Sequence, residues 1–209
     1  MSARSLDVEY VRQDDVLNGT RYDGSVTESL RGKRLVRCLP ADSEGPTNTD
    51  IPGLHLSRIG INDSILQFCI DEFSSHNFYG KNARRMRHYG LDIYGFSHIS
   101  DDIPNELTPL VAAVEGLTGS KITMATIVKY GPGDALPPHC DLGAAGSIVA
   151  TISISGSSIC TMAKGDVARP LRLEHGDVTI MSGEARYWWT HSIQNAGEVR
   201  YSVVLRNPR

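Results

Sequence analysis

The chain has 209 residues, of which 40 % are hydrophobic and 22 % charged, and this composition is that of one ordinary globular domain. It excludes a disordered chain and a small fold stapled by disulfides. The chain carries 21 Lys and Arg residues against 24 Asp and Glu, a net charge of −3, so attraction of a polyanion would require a local basic patch.

The apolar runs, the first residues and the cysteine spacing of the sequence all favour a reducing compartment. No apolar run reaches the roughly 18–20 residues that span a bilayer, and residues 1–15 lack the apolar core of a secretory signal. Cys38, Cys69, Cys140 and Cys160 form no CxxC pair, and only Cys140 has the polar neighbours that a nucleophile would need. We therefore expect free thiols in a cytoplasmic or nuclear protein without membrane contact, and a monomer as the simplest assembly.

Residues 1–60 predict an N-terminal extension and loop. They end in LPADSEGPTNTDIPG, where Pro, Gly, Asp, Asn and Ser cluster as they do in turns. Within this segment Arg31, Lys33, Arg34 and Arg37 alternate with apolar residues. A solvated surface explains this alternation more simply than an amphipathic strand with a basic face, which is the other interpretation.

Residues 61–120 predict two helices that pack on a sheet. The first begins at Asn62, Asp63 or Ser64, whose side-chain oxygens can cap a helix, and the second begins near Pro104 and ends before Gly119. Apolar residues recur in both at spacings of three and four. They are Ile65, Leu66, Cys69 and Phe73 in the first helix and Leu107, Leu110, Val111, Val114 and Leu117 in the second.

Residues 121–209 predict a β sandwich or barrel, because short apolar and β-branched runs follow one another with Gly and Pro between them and without a helical stretch. The runs are KITMATIVKY, SIVATISI, SSICTMA, PLRLE, DVTIM, YWWTHSI and VRYSVVLR. The predicted fold class is α+β and mainly β, with supporting helices followed by a jelly roll in a single domain over 1–209.

A metal-binding motif lies in YGPGDALPPHCD (130–141). Residues i and i+2 of an extended chain point to the same side, so His139 and Asp141 can bind one ion. His191, in WWTHS and 50 residues after Asp141, is the third candidate ligand. Two His and one carboxylate on one face suit Fe(II) and dioxygen, because other coordination positions stay open. Zinc binding and a plain hydrogen-bonded pair in a turn are the alternatives.

The last run, VRYSVVLR, carries two arginines on one face. Arg200 and Arg206 are six residues apart, so both face one side of an extended strand. The other side is apolar and consists of Val199, Tyr201, Val203 and Leu205. A guanidinium binds a carboxylate through two parallel hydrogen bonds, so an Arg directed into a barrel can hold a dicarboxylate. Two surface arginines are the alternative.

These residues, in this order, resemble the AlkB family of Fe(II)- and 2-oxoglutarate-dependent dioxygenases. The shared pattern is Tyr-x-Pro-Gly before His-x-Asp, then GDVTIMSGEARYWWTHSI with the second His, then two Arg six residues apart. The likeness covers the C-terminal half and reaches back to RRMRHYG (84–90). It implies a double-stranded β-helix that holds iron, with N-terminal helices bracing one sheet and loops forming a substrate lid.

The resemblance also assigns roles to single residues. It implies that Fe(II) is bound by His139, Asp141 and His191. It implies that 2-oxoglutarate is bound by Tyr130, by Arg200 at the distal carboxylate and by Arg206 near the proximal one. Three positions depart from the pattern of several members: Val128 replaces an asparagine that touches 2-oxoglutarate, Gly143 an acidic residue that contacts the base, and Met181 a tryptophan near the pocket.

The reaction that the resemblance implies is hydroxylation of an N-alkyl carbon with 2-oxoglutarate and O2, after which the alkyl group leaves as an aldehyde. A basic cluster beside aromatic residues, in the position of the family's lid, suits a flipped or single-stranded base of DNA or RNA. The predicted substrate-binding residues are Arg84, Arg85, Arg87 and Tyr89, beside Lys81, His88, Tyr94 and Phe96. A hydroxylase of a small molecule or protein, and a jelly-roll binding module without iron, are the alternatives.

Overall fold

The computed structural model describes residues 49–75, 85–91, 93, 102–195 and 197–208. The basic run at 31–37, Cys38, Lys81, Arg84, Tyr94 and Phe96 lie outside the described residues. Within the described part, no helix has the length and apolar character needed to cross a bilayer.

Two antiparallel sheets face each other and form a jelly roll. The larger sheet has the order β1-β8-β5-β10-β3-β2 and the smaller one β4-β9-β6-β7. The strands are β1 (Leu54–Arg58), β2 (Arg85–Gly90), β3 (Met124–Tyr130), β4 (Ala135–His139), β5 (Val149–Ser155), β6 (Ser158–Lys164), β7 (Val167–Leu173), β8 (Asp177–Met181), β9 (Thr190–Asn195) and β10 (Arg200–Arg206). The predicted fold class, mainly β with supporting helices, is confirmed.

Two helices cover the outer face of the larger sheet. Helix α1 (Asp63–Ser75) begins where Asn62 Oδ1 accepts a hydrogen bond from the Ser64 backbone N–H at 3.0 Å. A 3-10 turn (Asn105–Leu107) leads into α2 (Thr108–Thr118), which ends at Gly119 with a left-handed φ of 64°. Their apolar stripes share one core with alternate residues of β3, β5 and β10, as predicted.

A second core fills the space between the two sheets. Strand alternation turns Val128 and Tyr130 of β3 inward, where they meet Ile193 of β9 and Trp188. The same alternation turns Ile127 of β3 outward to the helices. The inner face of the larger sheet therefore lines the space into which the smaller sheet presents its side chains.

The structure differs from the predicted elements in three places. Strands β1, β2 and β4 were not among the predicted runs, since residues 54–58 fall in the predicted N-terminal extension and loop, and residues 84–90 lie at the position of the family's lid. The run YWWTHSI is not one strand, because a short helix α3 (Gly183–Tyr187) ends inside it and β9 begins only at Thr190. Val199 precedes β10 and is 43 % exposed, so it does not belong to the apolar face.

Candidate metal centre

Two strands of the smaller sheet bring the candidate histidines together. His139 is the last residue of β4 and pairs across the strands with His191 of β9, with ring centroids 4.3 Å apart. Asp141 lies two residues beyond the end of β4, and its Oδ1 is 3.5 Å from His139 Nε2 and 3.9 Å from His191 Nε2. The three ligand atoms lie within 4.8 Å of one another. Ligands held about 2.0–2.2 Å from a common ion have comparable separations of roughly 3–3.5 Å.

The protonation states of Asp141 and His191 suit metal binding. Burial alone would raise the pKa of Asp141, but the Arg206 guanidinium, with a smaller contribution from Arg186, holds it well below its usual range. Burial lowers the pKa of His191 to about 3, and nearby His139 acts in the same direction. At neutral pH the carboxylate is therefore ionised and the His191 imidazole neutral, and these are the forms that bind metal ions.

The orientation of His139 is fixed by its own strand. The Nδ1–H group donates a hydrogen bond to the Pro137 carbonyl at 2.9 Å, since a carbonyl oxygen can only accept. Nε2 is thereby left free of the proton and directed to Asp141. A second hydrogen bond of this kind is the usual way in which proteins fix the tautomer of a metal-binding histidine.

The two oxygens of Asp141 face different neighbours. Oδ1 faces the histidines, whereas Oδ2 lies 3.4 Å from Arg206 Nη2. Arg206 Nη1 also donates a hydrogen bond to Thr126 Oγ1 at 3.1 Å on the neighbouring strand β3. Arg206 thus orients the carboxylate and leaves one of its oxygens for an ion.

Arg200 is a buried cation with unused hydrogen-bonding capacity. It is 1 % exposed, and its Nη2 donates to Ser153 Oγ at 3.0 Å, while its guanidinium carbon lies 5.4 Å from the centre of the Tyr130 ring. Its Nε has no hydrogen-bond partner among the described residues. A desolvated guanidinium in this state favours an anionic partner such as a carboxylate.

The charges between the sheets are unbalanced. In the part of the chain that the structure describes, Arg200 and Arg206 are buried on the inner face of β10, and the one carboxylate within ion-pair distance of them is that of Asp141, beside Arg206. The buried Glu184 is paired with Lys164 at 2.7 Å and does not offset them. The inner space therefore carries an excess of positive charge, which a divalent cation would increase and a dianion would reduce.

The predicted substrate-binding residues do not all face this centre. Arg85, Arg87 and Tyr89 belong to the edge strand β2, and alternate positions of this strand face opposite sides. Tyr89 lies in the core shared with the helices, donates a hydrogen bond to Glu72 of α1, and is 3 % exposed. Arg87 Nε lies 3.5 Å from Glu72 Oε2.

The Arg87 and Tyr89 side chains thus attach β2 to α1 on the side away from the triad, and their substrate role stays a prediction. Met86 and His88 face inward instead: Met86 packs against the core between the sheets, and His88 Nδ1 lies 3.0 Å from Thr126 Oγ1. Arg85 is exposed on the edge strand, and Arg84 lies outside the described residues.

Sequence reasoning missed Arg186, which lies in α3 within the quoted motif GDVTIMSGEARYWWTHSI. The sequence offers only a weak signal for it, since Arg186 is followed directly by the aromatic residues Tyr187, Trp188 and Trp189 but preceded by Glu184. Its Nη1 donates a hydrogen bond to the Asp141 carbonyl at 3.1 Å.

The family model described as "2OG-Fe(II) oxygenase superfamily" matches residues 77–204. The "Alkylated DNA repair protein ALKBH8 homolog" of Arabidopsis thaliana is 24 % identical over 82 % of this chain and 60 % of its own length. The "tRNA (carboxymethyluridine(34)-5-O)-methyltransferase alkbh8" of Xenopus tropicalis is 30 % identical over 53 % of this chain and 19 % of its own length. The chain thus spans less than two thirds of either relative.

A solved structure, that of OsALKBH1, has the same fold. It superposes with a TM-score of 0.60 at 15 % sequence identity, over 78 % of this chain and 99 % of that one. At this identity the likeness concerns the fold, and it agrees with the jelly roll and its supporting helices.

Proposed function

This chain belongs to the 2OG-Fe(II) oxygenase superfamily and is AlkB-like within it, and we propose that it removes alkyl groups oxidatively from N-alkylated bases of DNA or RNA. The family makes it a dioxygenase that uses Fe(II), 2-oxoglutarate and O2. The observation that carries the proposal is the meeting of the side chains of His139, Asp141 and His191 within 4.8 Å, in a protein that also buries Arg200.

The residues of the site fit both Fe(II) and 2-oxoglutarate. Two imidazoles and one carboxylate are the donor set typical of non-haem Fe(II) oxygenases. The excess of buried positive charge suits a dicarboxylate, and so does the Nε of Arg200, which has no hydrogen-bond partner among the described residues. When bound, Fe(II), 2-oxoglutarate and O2 supply the oxidising chemistry, in which 2-oxoglutarate becomes succinate and CO2 as one oxygen atom is added to the substrate.

The side chains of the site then divide metal binding, orientation of Asp141 and cosubstrate binding among them. His139, Asp141 and His191 hold the ion, and Arg206 keeps Asp141 Oδ2 occupied so that Oδ1 stays directed to it. Arg200 binds the distal carboxylate of 2-oxoglutarate, and Tyr130, its cross-strand partner, supplies a hydroxyl beside it. The apolar walls between the sheets exclude water from the reacting carbon.

The names of the relatives support a nucleic acid as the substrate. Their names refer to alkylated DNA in one case and to a tRNA uridine in the other, so a nucleic acid is common to both. Hydroxylation of an N-alkyl carbon gives a carbinolamine, which breaks its C–N bond to release an aldehyde and the unmodified base. The net charge of −3 restricts nucleic-acid contacts to local basic patches.

The proposal is tested with the Fe(II)-loaded protein, 2-oxoglutarate and single-stranded DNA and RNA oligonucleotides that carry 1-methyladenine or 3-methylcytosine. We expect succinate and unmodified base in equal amounts with at least one oligonucleotide. The unmodified oligonucleotide and the His139→Ala protein are the controls. Succinate formation that no oligonucleotide stimulates would contradict the nucleic-acid substrate and direct the search to small molecules and proteins.

A further inference from the structure

Arg186 is a buried cation that forms no ion pair with any described residue. It lies on α3, five residues before His191, and is 2 % exposed. No carboxylate lies within ion-pair distance of it among the described residues, and its Nε has no hydrogen-bond partner there. Burial of a guanidinium is unfavourable, so a cation in this position implies a function for its remaining contacts.

Those contacts are made to the backbone of the metal-binding segment. Nη1 donates to the carbonyl of Asp141 at 3.1 Å, and Nη2 donates to the carbonyl of Leu142. The guanidinium carbon lies 4.9 Å from the centre of the Tyr187 ring, which covers the cation from its own helix. The planar fork of an arginine is suited to binding two consecutive carbonyls in a fixed geometry.

These hydrogen bonds connect two segments that are far apart in sequence. Asp141 follows β4 and has left the strand ladder, so the pairing of β4 with β9 fixes His139 and His191 but not Asp141. Arg206 holds the carboxylate of Asp141 from β10. The main chain of Asp141 is held by Arg186, from the helix that leads directly into the strand of His191.

We infer that Arg186 is a positioning residue for the metal centre, which sets the main chain of Asp141, and hence its carboxylate, relative to His191. Its hydrogen bonds go to the main chain of Asp141 and Leu142, so it acts through Asp141. The inference rests on the proposed role of His139, Asp141 and His191 as metal ligands. Changes in such outer partners of metal ligands typically lower metal affinity 10–100-fold.

The test uses Co(II), whose visible absorption reports ligand geometry, with affinity measured by calorimetry. Arg186→Lys keeps the charge but loses the fork, and Arg186→Gln keeps a donor but loses the charge. We expect both variants to fold, to bind Co(II) about 10-fold or more weakly, and to show an altered Co(II) spectrum, with Arg186→Lys the closer to wild type.

Two matched controls separate this role from plain stability. Glu184→Gln changes a buried charge on the same helix that contacts Lys164 and not Asp141, so it should lower the melting temperature while the Co(II) affinity and spectrum stay those of wild type. Arg200→Ala removes another buried arginine and should weaken 2-oxoglutarate binding while Co(II) binding is retained.

Two results would overturn the inference. Folded Arg186 variants with wild-type Co(II) affinity and spectrum would show that Asp141 is positioned without it. Failure of both variants to fold in the presence of Co(II) would assign Arg186 to the fold instead. A wild-type protein that binds no Co(II) would contradict the metal site itself, and that outcome is distinguishable because it does not depend on any variant.

Discussion

His139 and His191 are direct cross-strand partners at the end of the β4–β9 ladder, with ring centroids 4.3 Å apart. Directly opposite residues of antiparallel strands are separated by about 4.5–5.5 Å at Cβ, so the sheet itself sets the distance between the two imidazoles. Asp141 completes the triad from just outside the ladder. The centre is therefore built from one rigid pair and one ligand that needs support from Arg186 and Arg206.

Removal of one histidine should abolish the reaction without unfolding the protein. We expect His139→Ala to lose Fe(II)-dependent succinate formation to background and to keep the wild-type circular dichroism spectrum. His175→Ala is the matched control, since His175 is exposed and its Nδ1 faces the Ile154 carbonyl. Retention of turnover by His139→Ala would show that the metal ligands are other residues.

Arg200→Ala should act mainly on the cosubstrate. Loss of one partner of a buried charge pair costs about 3 to 5 kcal/mol, which is roughly a 100-fold or larger loss of 2-oxoglutarate affinity. Calorimetric titration of the metal-loaded protein measures it. Arg172→Ala, an exposed arginine on β7, should leave the affinity unchanged. A wild-type affinity in Arg200→Ala would mean that another cation binds 2-oxoglutarate.

Arg206→Gln should move the pH dependence of metal binding. Arg206 is the main group that holds the pKa of Asp141 down against burial. Its removal raises that pKa, so protons compete with the metal from a higher pH, and Co(II) binding should be lost at a higher pH than in wild type as the pH falls. Co(II) absorption, followed at pH values stepped down from neutral, gives both midpoints. Coincident midpoints would exclude this role of Arg206.

Tyr89→Phe should lower stability and leave substrate binding intact. The lost hydrogen bond to the Glu72 carboxylate is worth about 1 to 3 kcal/mol of the free energy of unfolding, which urea denaturation measures. The KM for a methylated oligonucleotide should not change, because Tyr89 lies on the helix side of β2. An increased KM with an unchanged free energy of unfolding would instead support the predicted substrate role of Tyr89.

Much of the fold follows from local patterns in the sequence. DVTIM corresponds exactly to β8, and the stripe from Leu107 to Leu117 matches the helical segment that Gly119 ends. The His-x-Asp spacing identified two side chains that the structure places beside His191, and the even spacing of Arg200 and Arg206 matches their position on one face of β10, from which Arg206 reaches Asp141. These features depend on strand alternation and on capping, which are properties of a short segment.

Features that depend on distant pairing could not be predicted in this way. The basic residues of 85–90 suggest a lid, yet this segment is a strand that pairs with β3. The register of this pairing with Met124–Lys129 determines that the Tyr89 side chain faces the helices. Helix α3 ends at Tyr187, the first residue of the run YWWTHSI, and β9 begins only at Thr190, so this run does not form one strand. The contact of Arg186 with Asp141 spans 45 residues, and no local pattern encodes it.

Oxidative dealkylation is tested most directly by one reaction: Fe(II)-loaded protein with 2-oxoglutarate and a single-stranded oligonucleotide that carries 1-methyladenine or 3-methylcytosine, analysed for succinate and for unmodified base. We expect one succinate for each methyl group removed, and no removal by His139→Ala. Methylated base that stays intact in both DNA and RNA, while the wild-type protein still forms succinate, would contradict dealkylation of nucleic acid.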